Sequence, residues 1–377
     1  QSNLRIRSAS VTVVESGREF KHGGIWLRQV QSPIAQWQKN TSKSQKYIFA
    51  SSQVITRVAR TCSKGGLMLV VGGDNLIDLI EISRDDAAVS FAGARGGSGY
   101  NTARATARQG QDVGFITPIA QDNLGHFLAD KMVADGVALL SPRSEKPSSL
   151  AVVTLVNGQP SYQFYRGDTA ERQVDLPSLN AHFPKNGRAF HLTSLSIIAG
   201  ADAEAWAEFF VAKHKAGIVT TLDPNVRPML IEDRESYLAR LWYLMWHSDV
   251  IKLSDEDLEW IYPELSFEAA CEALLAKATA KLTIITKGAE GALGYCNGHR
   301  VIVPAHPVGK LIDTVGAGDT FMGTVLSGLN GADLLTQTAL SELTQDGLQD
   351  LLSRAAKAAA INCGREGCDP PSSAELL

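Results

Sequence analysis

The chain is poor in the residues that would tie it to several large protein classes. Cysteine occurs only five times in 377 residues, as Cys62, Cys271, Cys296, Cys363 and Cys368, with no CxxC pair and no His/Cys cluster at zinc-ligand spacing. So scattered and odd-numbered a set argues against a disulfide framework or a zinc ribbon, and fits a reduced, cytoplasmic chain. No apolar run reaches the roughly 18 residues that a membrane helix needs, so no membrane span is expected. Two phosphate-binding signatures are missing as well. There is no GxxxxGK[ST], because Gly309-Lys310 continues to Leu311, and no GxGxxG, because Gly97-Ser98-Gly99 leads to Thr102 where the third glycine belongs. The second absence argues against a nicotinamide-dependent dehydrogenase.

Acidic residues are scarce at one end only. Residues 1–66 hold eleven Lys/Arg against Glu15 and Glu19, a balance of +9, which leaves −13 for the rest of a chain whose total is −4. An acidic body disfavours nucleic acid as a partner. The first 66 residues are Ser- and Gln-rich without periodicity, and are read as an extension that is disordered or a non-native start. Three accounts compete: an over-extended reading frame ahead of Met68, a Ser-rich transit peptide, or a regulatory arm. The opening Gln-Ser-Asn resembles the scar of a cleaved tag, and no function is assigned to the segment.

What is present, with 44% hydrophobic and 20% charged residues, is globular. Leu67–Gly73 reads as a buried first strand closed by glycines, and residues 76–82 and 87–91 as alternating strands. A helix is expected over Ser98–Gln109, a strand over Val113–Thr117 and a helix over Leu124–Asp135. Leu150–Val156 and Ser161–Arg166 flank Asn157-Gly158, a hairpin signal. Strands at 189–192, 218–222, 250–253 and 282–286 then alternate with helices near 202–214, 234–246, 255–261 and 267–279. That alternation predicts an α/β fold: a three-layer α/β/α core with a mostly parallel sheet, plus a small β subdomain from the early hairpins.

The stretch DTVGAGDTF, Asp313–Phe321, carries the most chemistry. Gly316-Ala317-Gly318 lets a ligand approach bare backbone, and Thr320–Leu329 reads as a helix whose unpaired first amides form an anion site. Asp319 beside that site suits a base for an attacking alcohol, although on spacing alone it serves equally as a helix cap. Gly96-Gly97-Ser98-Gly99-Tyr100-Asn101 repeats the theme of glycines before a helix, with an amide suited to sugar hydroxyls. Asp223-Pro224-Asn225-Val226-Arg227-Pro228 follows a parallel strand, where an Asp can orient magnesium waters and an Arg can neutralise phosphate oxygens. Each of these also reads as ordinary turn chemistry.

In order along the chain, however, these motifs resemble the ribokinase (PfkB) family of carbohydrate kinases, and bacterial fructokinases in particular, over residues 67–374. The resemblance implies a ribokinase-like fold with a β-sheet lid formed by segments near 76–92 and 138–168. It implies catalysis by Asp319 as base and by an anion hole of Gly316, Ala317 and Gly318. Sugar contacts are carried over to Asp78, Gly97, Ser98 and Asn101, with Phe164 and Arg166 on the lid and Arg227 at the phosphate. Nucleotide contacts fall on Asp223, Asn225, Lys252, Ser254, Thr286, Lys287, Gly288, Gly291 and Asn362. Metal roles fall on Asp257 and Asp313, the latter in a monovalent-cation loop, so ATP, Mg²⁺ and K⁺ are the implied cofactors. The family pattern has Asn-x-x-Glu where this chain has Ser254 and Asp257, and often Glu-Ala at Asp74-Asn75, whose roles stay open.

The hairpin Tyr162–Arg166 followed by Thr169-Ala170-Glu171-Arg172 resembles fructokinases. The implied reaction is transfer of phosphate to the primary hydroxyl of a ketohexose, giving fructose 6-phosphate. Kinases of 2-keto-3-deoxygluconate share aromatics and Arg in this region and stand as the alternative, with other sugar or nucleoside kinases of the family behind them. A non-catalytic sensor on the same fold would have no need of Asp319. The expected partner is a small sugar, and a homodimer through the lid is compatible with the family.

Overall fold

The computed structural model describes residues 67–156 and 159–377. The readings made of residues 1–66, and of the Asn157-Gly158 turn, lie outside the described residues. Strand β1 (Met68–Val71) is followed by an antiparallel pair, β2 (Leu76–Arg84) and β3 (Val89–Gly96). Helix α1 (Ser98–Arg108), strand β4 (Val113–Phe115), helix α2 (Asn123–Ala134) and strand β5 (Val137–Leu139) come next. A hairpin, β6 (Ser149–Val156) and β7 (Gln159–Tyr165), leads to the short helix α3 (Leu176–His182) and β8 (Gly187–Thr193). Then follow α4 (Ala201–Lys215), β9 (Val219–Asp223), α5 (Arg234–Met245), β10 (Val250–Ser254), α6 (Asp255–Ile261), α7 (Phe267–Lys277) and β11 (Leu282–Thr286). The described chain closes with the hairpin β12 (Ala292–Cys296) and β13 (His299–Val303), then helices α8 (Ala317–Gly331) and α9 (Gln345–Cys363).

Nine strands form the main sheet in the order β13-β12-β11-β10-β9-β8-β1-β4-β5, parallel except for the antiparallel pairings of β12 with β11 and with β13 at one end. The other four, β3-β2-β6-β7, make the separate small sheet. Side chains on a strand alternate between faces, and this decides the two cores. Leu69 and Val71 point to one face, where Tyr100, Phe115, Leu128, Met322 and Leu352 pack. Met68 and Val70 point to the other, where Phe190, Trp206, Phe209 and Leu241 pack. Burying each such large side chain contributes about 1.5–3 kcal/mol. Covered on both faces, the central strands read as apolar runs, as parallel strands do.

The small sheet is different. Ile82, Val89, Phe91 and Tyr165 stay exposed on it, because only part of its surface is covered by the core. Strand β3 runs to Gly96, five residues past the expected end, where it pairs with Leu76. Four features have no counterpart in the sequence reading: β5, α3, the hairpin β12–β13 and the helix α9. Strand β5 has three residues, too few to show alternation, and α3 spans two turns started by an Asp175 capping box.

Candidate active site

The parallel strands β1, β8, β9, β10 and β11 all end on one side of the sheet, where open α/β sheets bind ligands. A cavity of about 1110 Å³ lies there, roofed on one side by Ile80, Ala94, Val153, Tyr162 and Phe164 of the small sheet.

Asp319 sits at its base, 7% exposed, in the first turn of α8. Its Oδ1 accepts from Ser98 Oγ at 2.6 Å and its Oδ2 from Asn101 Nδ2 at 2.9 Å. The two donors lie on α1, three residues apart, so they share one helix face and grip the carboxylate from both sides. Burial drives the Asp319 pKa above its usual range, and the bonds from Ser98 and Asn101 with the charges of Lys252 and Arg227 pull the other way. A carboxylate so held is oriented, and its raised pKa suits it to take a proton.

The sequence placed the helix start at Thr320, but α8 begins at Ala317 with Gly316 as its left-handed cap, φ +73°. A Cβ on Gly316 would collide with Cys368 Sγ and come within 2.6 Å of Cys368 Cβ, so both conformation and space demand glycine. The glycine-rich run is therefore the first helical turn itself, which changes the anion hole. The Ala317 amide donates to the Thr314 carbonyl at 3.2 Å and is engaged. The Gly318 and Asp319 amides have no partner among the described residues, as expected for first-turn donors. Beneath them Lys252 Nζ is so close that a Cβ on Gly318 would stand 3.0 Å from it.

Lys252 donates to Asp223 Oδ2 at 2.9 Å, both side chains being buried. Burial works against the ammonium, but the carboxylates of Asp223, Asp257 and Asp319 outweigh it and hold the Lys252 pKa above its usual value. Asp223 itself does not line the cavity; its Oδ2 neutralises Lys252.

Asp78 projects into the cavity from β2, and burial lifts its carboxyl to about 6, with Arg227 opposing and Asp313 adding repulsion. Asn225, at φ +39°, accepts from Arg227 Nη1 through its side chain at 2.6 Å. Gly97 precedes α1 with φ +109°, and a Cβ there would approach the Asp74 carbonyl carbon to 2.8 Å, so the loop after β1 and the start of α1 need a glycine to cross.

These strand ends and this helix start agree with a family match. The model for pfkB family carbohydrate kinases fits residues 67–375. The chain belongs to the pfkB family of carbohydrate kinases. A fructokinase of Rhizobium leguminosarum bv. trifolii is 37% identical over 290 residues, which is 75% of this chain and 86% of that protein. Fructokinase-1 of Oryza sativa subsp. japonica is 30% identical over 321 residues, 82% of this chain and 96% of that one. The solved structure of Xylella fastidiosa fructokinase with bound ATP matches with a TM-score of 0.73 at 28% identity, over 82% of this chain and 97% of that one. The fold is ribokinase-like, and the protein is a sugar kinase phosphotransferase.

The kinase's cavity brings together most of the residues picked out from the sequence: Asp78, Gly97, Ser98, Asn101, Phe164, Asn225 and Arg227, then Lys252, Ser254, Asp257, Thr286, Lys287, Gly288, Asp313 and Gly316 to Asp319. Three others lie elsewhere. Arg166 is behind the wall, its Nε 2.6 Å from Glu171 Oε1. Asn362 is fully buried and donates to the Val315 carbonyl at 2.8 Å, shaping the loop instead of lining a base pocket. Gly291 closes the β11–β12 turn, with its place fixed by the Val303 carbonyl.

Magnesium binding is constrained by the acids available. Asp257 accepts the Val226 amide at 2.7 Å and the Ser254 amide at 2.9 Å, so both its oxygens already hold backbone. Asp313 likewise accepts from Val315 at 3.0 Å and Gly367 at 2.9 Å. Among the described residues no cluster of three or more His, Cys, Asp or Glu side chains could hold a metal. That donor set fits a hydrated ion carried with phosphates, not an all-protein cage. The sequence reading left Asp74 open and missed Asp255, Glu256 and Trp260, which also line the cavity. For the acids, the signal was position: both follow directly on a parallel strand.

Among the described residues no helix is long and apolar enough to cross a membrane.

Proposed function

We propose that this kinase transfers the terminal phosphate of ATP to the primary hydroxyl of a ketohexose, with fructose as substrate and fructose 6-phosphate as product. The observation that carries the reading is Asp319, gripped by Ser98 and Asn101 beside two unpartnered amides. The 37% identity to a fructokinase favours fructose among the sugars.

The sugar lies under the lid, its hydroxyls facing Asp78, Asn101 and Gly97. Its primary hydroxyl hydrogen-bonds Asp319. As the sugar oxygen forms its bond to the γ-phosphorus, its proton passes to Asp319 and the bond to the ADP oxygen breaks. The amides of Gly318 and Asp319 and the Lys252 ammonium meet the charge on the transferring group, preorganised so that no solvent must rearrange. Thr286, Lys287 and Gly288 hold the remaining phosphates, and Arg227 the oxygens between. Magnesium would neutralise phosphate charge, held through water by Asp257 with Asp255 and Glu256. Asp313 would stand by a potassium ion in the loop that ends at Gly316. Phe164 and Tyr162 exclude water when the lid closes. The exposed Ile82, Val89 and Phe91 on the lid support a homodimer, which sedimentation would test.

The test is ADP release with fructose, 2-keto-3-deoxygluconate, ribose, tagatose and adenosine. Fructose is expected to give the highest kcat/KM, and a higher value for any other would replace the substrate assigned here.

A further inference from the structure

The half of the cavity under the lid is acidic. Asp74, Asp78 and Asp319 all line it. Asp74 is only 3% exposed; its Oδ2 accepts the Ser98 amide at 3.0 Å, while its Oδ1 has no partner among the described residues. Buried polar oxygens are nearly always satisfied, so one left open beside a ligand cavity points to a donor supplied by the ligand. Burial, with Glu171 adding to it and Arg166 opposing, lifts the Asp74 carboxyl to about 7.

Cations near this half are already committed. Arg95 lies over the Phe127 ring at 3.4 Å and donates to the Phe127 carbonyl at 2.8 Å. Arg227 bonds Asn225 and Val226 through Nη1 and, in the reading above, meets the phosphate oxygens. Arg166, the remaining guanidinium, is withdrawn behind the wall by Glu171, 12% and 2% exposed respectively, and its Nη2 donates to the Leu195 carbonyl at 3.3 Å. Glu171 is itself fixed by Ser149 Oγ at 2.7 Å and by the Asn75 amide at 3.3 Å, so it is not free to release its partner.

We infer that Asp74 and the Arg166–Glu171 pair are specificity determinants that admit uncharged polyols and exclude sugars bearing a carboxylate. The inference rests on the sugar-kinase reading above. A hydroxyl can donate to Asp74 Oδ1. Above about pH 7, where Asp74 ionises, a carboxylate in that place brings no donor, adds like charge, and must take Arg166 from Glu171 to be neutralised. Asp74 touches the ligand, whereas Glu171 is a positioning residue acting through Arg166.

The experiment compares the wild type, Asp74→Asn and Glu171→Gln, with melting curves to establish folding. At pH 8, above the point where Asp74 ionises, ADP release gives kcat and KM for fructose and for 2-keto-3-deoxygluconate, and calorimetry gives the binding of each. The wild type is expected to favour fructose in kcat/KM by at least about 100-fold, the scale of a like-charge clash in a binding site. Asp74→Asn should narrow that ratio by about tenfold or more, by way of KM, since one repulsive charge goes while an amide donor appears. Glu171→Gln should raise the affinity for the keto acid by releasing Arg166, and so narrow the ratio of binding constants. A wild type that prefers the keto acid, or folded variants that keep the wild-type ratio, would overturn the inference. If the wild type phosphorylates neither sugar, the substrate reading fails by itself. The ratio of binding constants then decides this inference.

Discussion

Ser98 donates to Asp319 across 2.6 Å, although 221 positions of sequence separate them. That bond and its companion from Asn101 orient the reacting carboxylate in a buried site and oppose the rise that burial imposes on its pKa. Removing the carboxylate's charge, as in Asp319→Asn, is expected to lower kcat by about 10²–10⁴-fold, the usual contribution of a positioned general base. Calorimetry should show ATP binding largely retained, and near-wild-type turnover would exclude Asp319 as the base.

Loss of the donors acts more gently. In Ser98→Ala or Asn101→Ala the ionised form of Asp319 loses a hydrogen bond that holds its pKa down. The acid limb of the kcat/KM profile should then move to higher pH, because the base stays protonated over a wider range. A pH–rate profile with an unmoved acid limb would contradict this coupling.

Lys252 and Asp223 are expected to fail separately and to recover only in part together. Lys252→Met leaves a buried carboxylate unpaired and should destabilise the protein by about 3–5 kcal/mol. The double variant Lys252→Met/Asp223→Leu should regain most of that in urea denaturation, since an apolar pair replaces an ion pair at little net cost. Its kcat should stay low, which separates the ammonium's catalytic part from its structural one.

Gly316→Ala combines a left-handed backbone with a clash against Cys368. Gly217→Ala shares the backbone problem, at φ +84°, but its Cβ would meet open space. The second should cost roughly 1–2 kcal/mol and the first distinctly more. Equal melting temperatures for the two would mean that Cys368 yields easily.

Asp74 makes stability depend on pH. The folded protein keeps its proton up to about 7, against an ordinary value of 3.8 for an aspartate. Folding therefore takes up a proton between those values, and stability falls as pH rises through that window. This one group accounts for a loss on the order of 4 kcal/mol by pH 8. Asp74→Asn should flatten the profile of ligand-free protein, measured by urea denaturation at pH 5 and 8, and should gain on the wild type at the higher pH.

The layered core was legible because its strands are apolar runs between amphipathic helices; the predicted span Leu282–Thr286 is also the observed strand. The active-site loop was legible as a motif, but its geometry was not. Whether Gly318 sits before a helix or inside its first turn depends on the Cys368 contact, which no local pattern encodes. The pairing of Arg166 with Glu171 was not legible for the same reason, since Glu171 is held by Ser149 and by the Asn75 amide, 22 and 96 positions upstream of it. The hairpin β12–β13 was within reach. Asn297-Gly298, both at positive φ, is the turn signal already used at 157–158.

Strand β1 lies between β8 and β4, and α1 waits for a carboxylate on α8. During synthesis, then, the first described strand gains its second neighbour only after residue 187 has emerged. The donors on α1 meet their acceptor only once the ribosome has passed residue 319. Every shorter nascent chain carries a sugar-facing half without the group that reacts, so the competence to transfer phosphate arrives with the final helices.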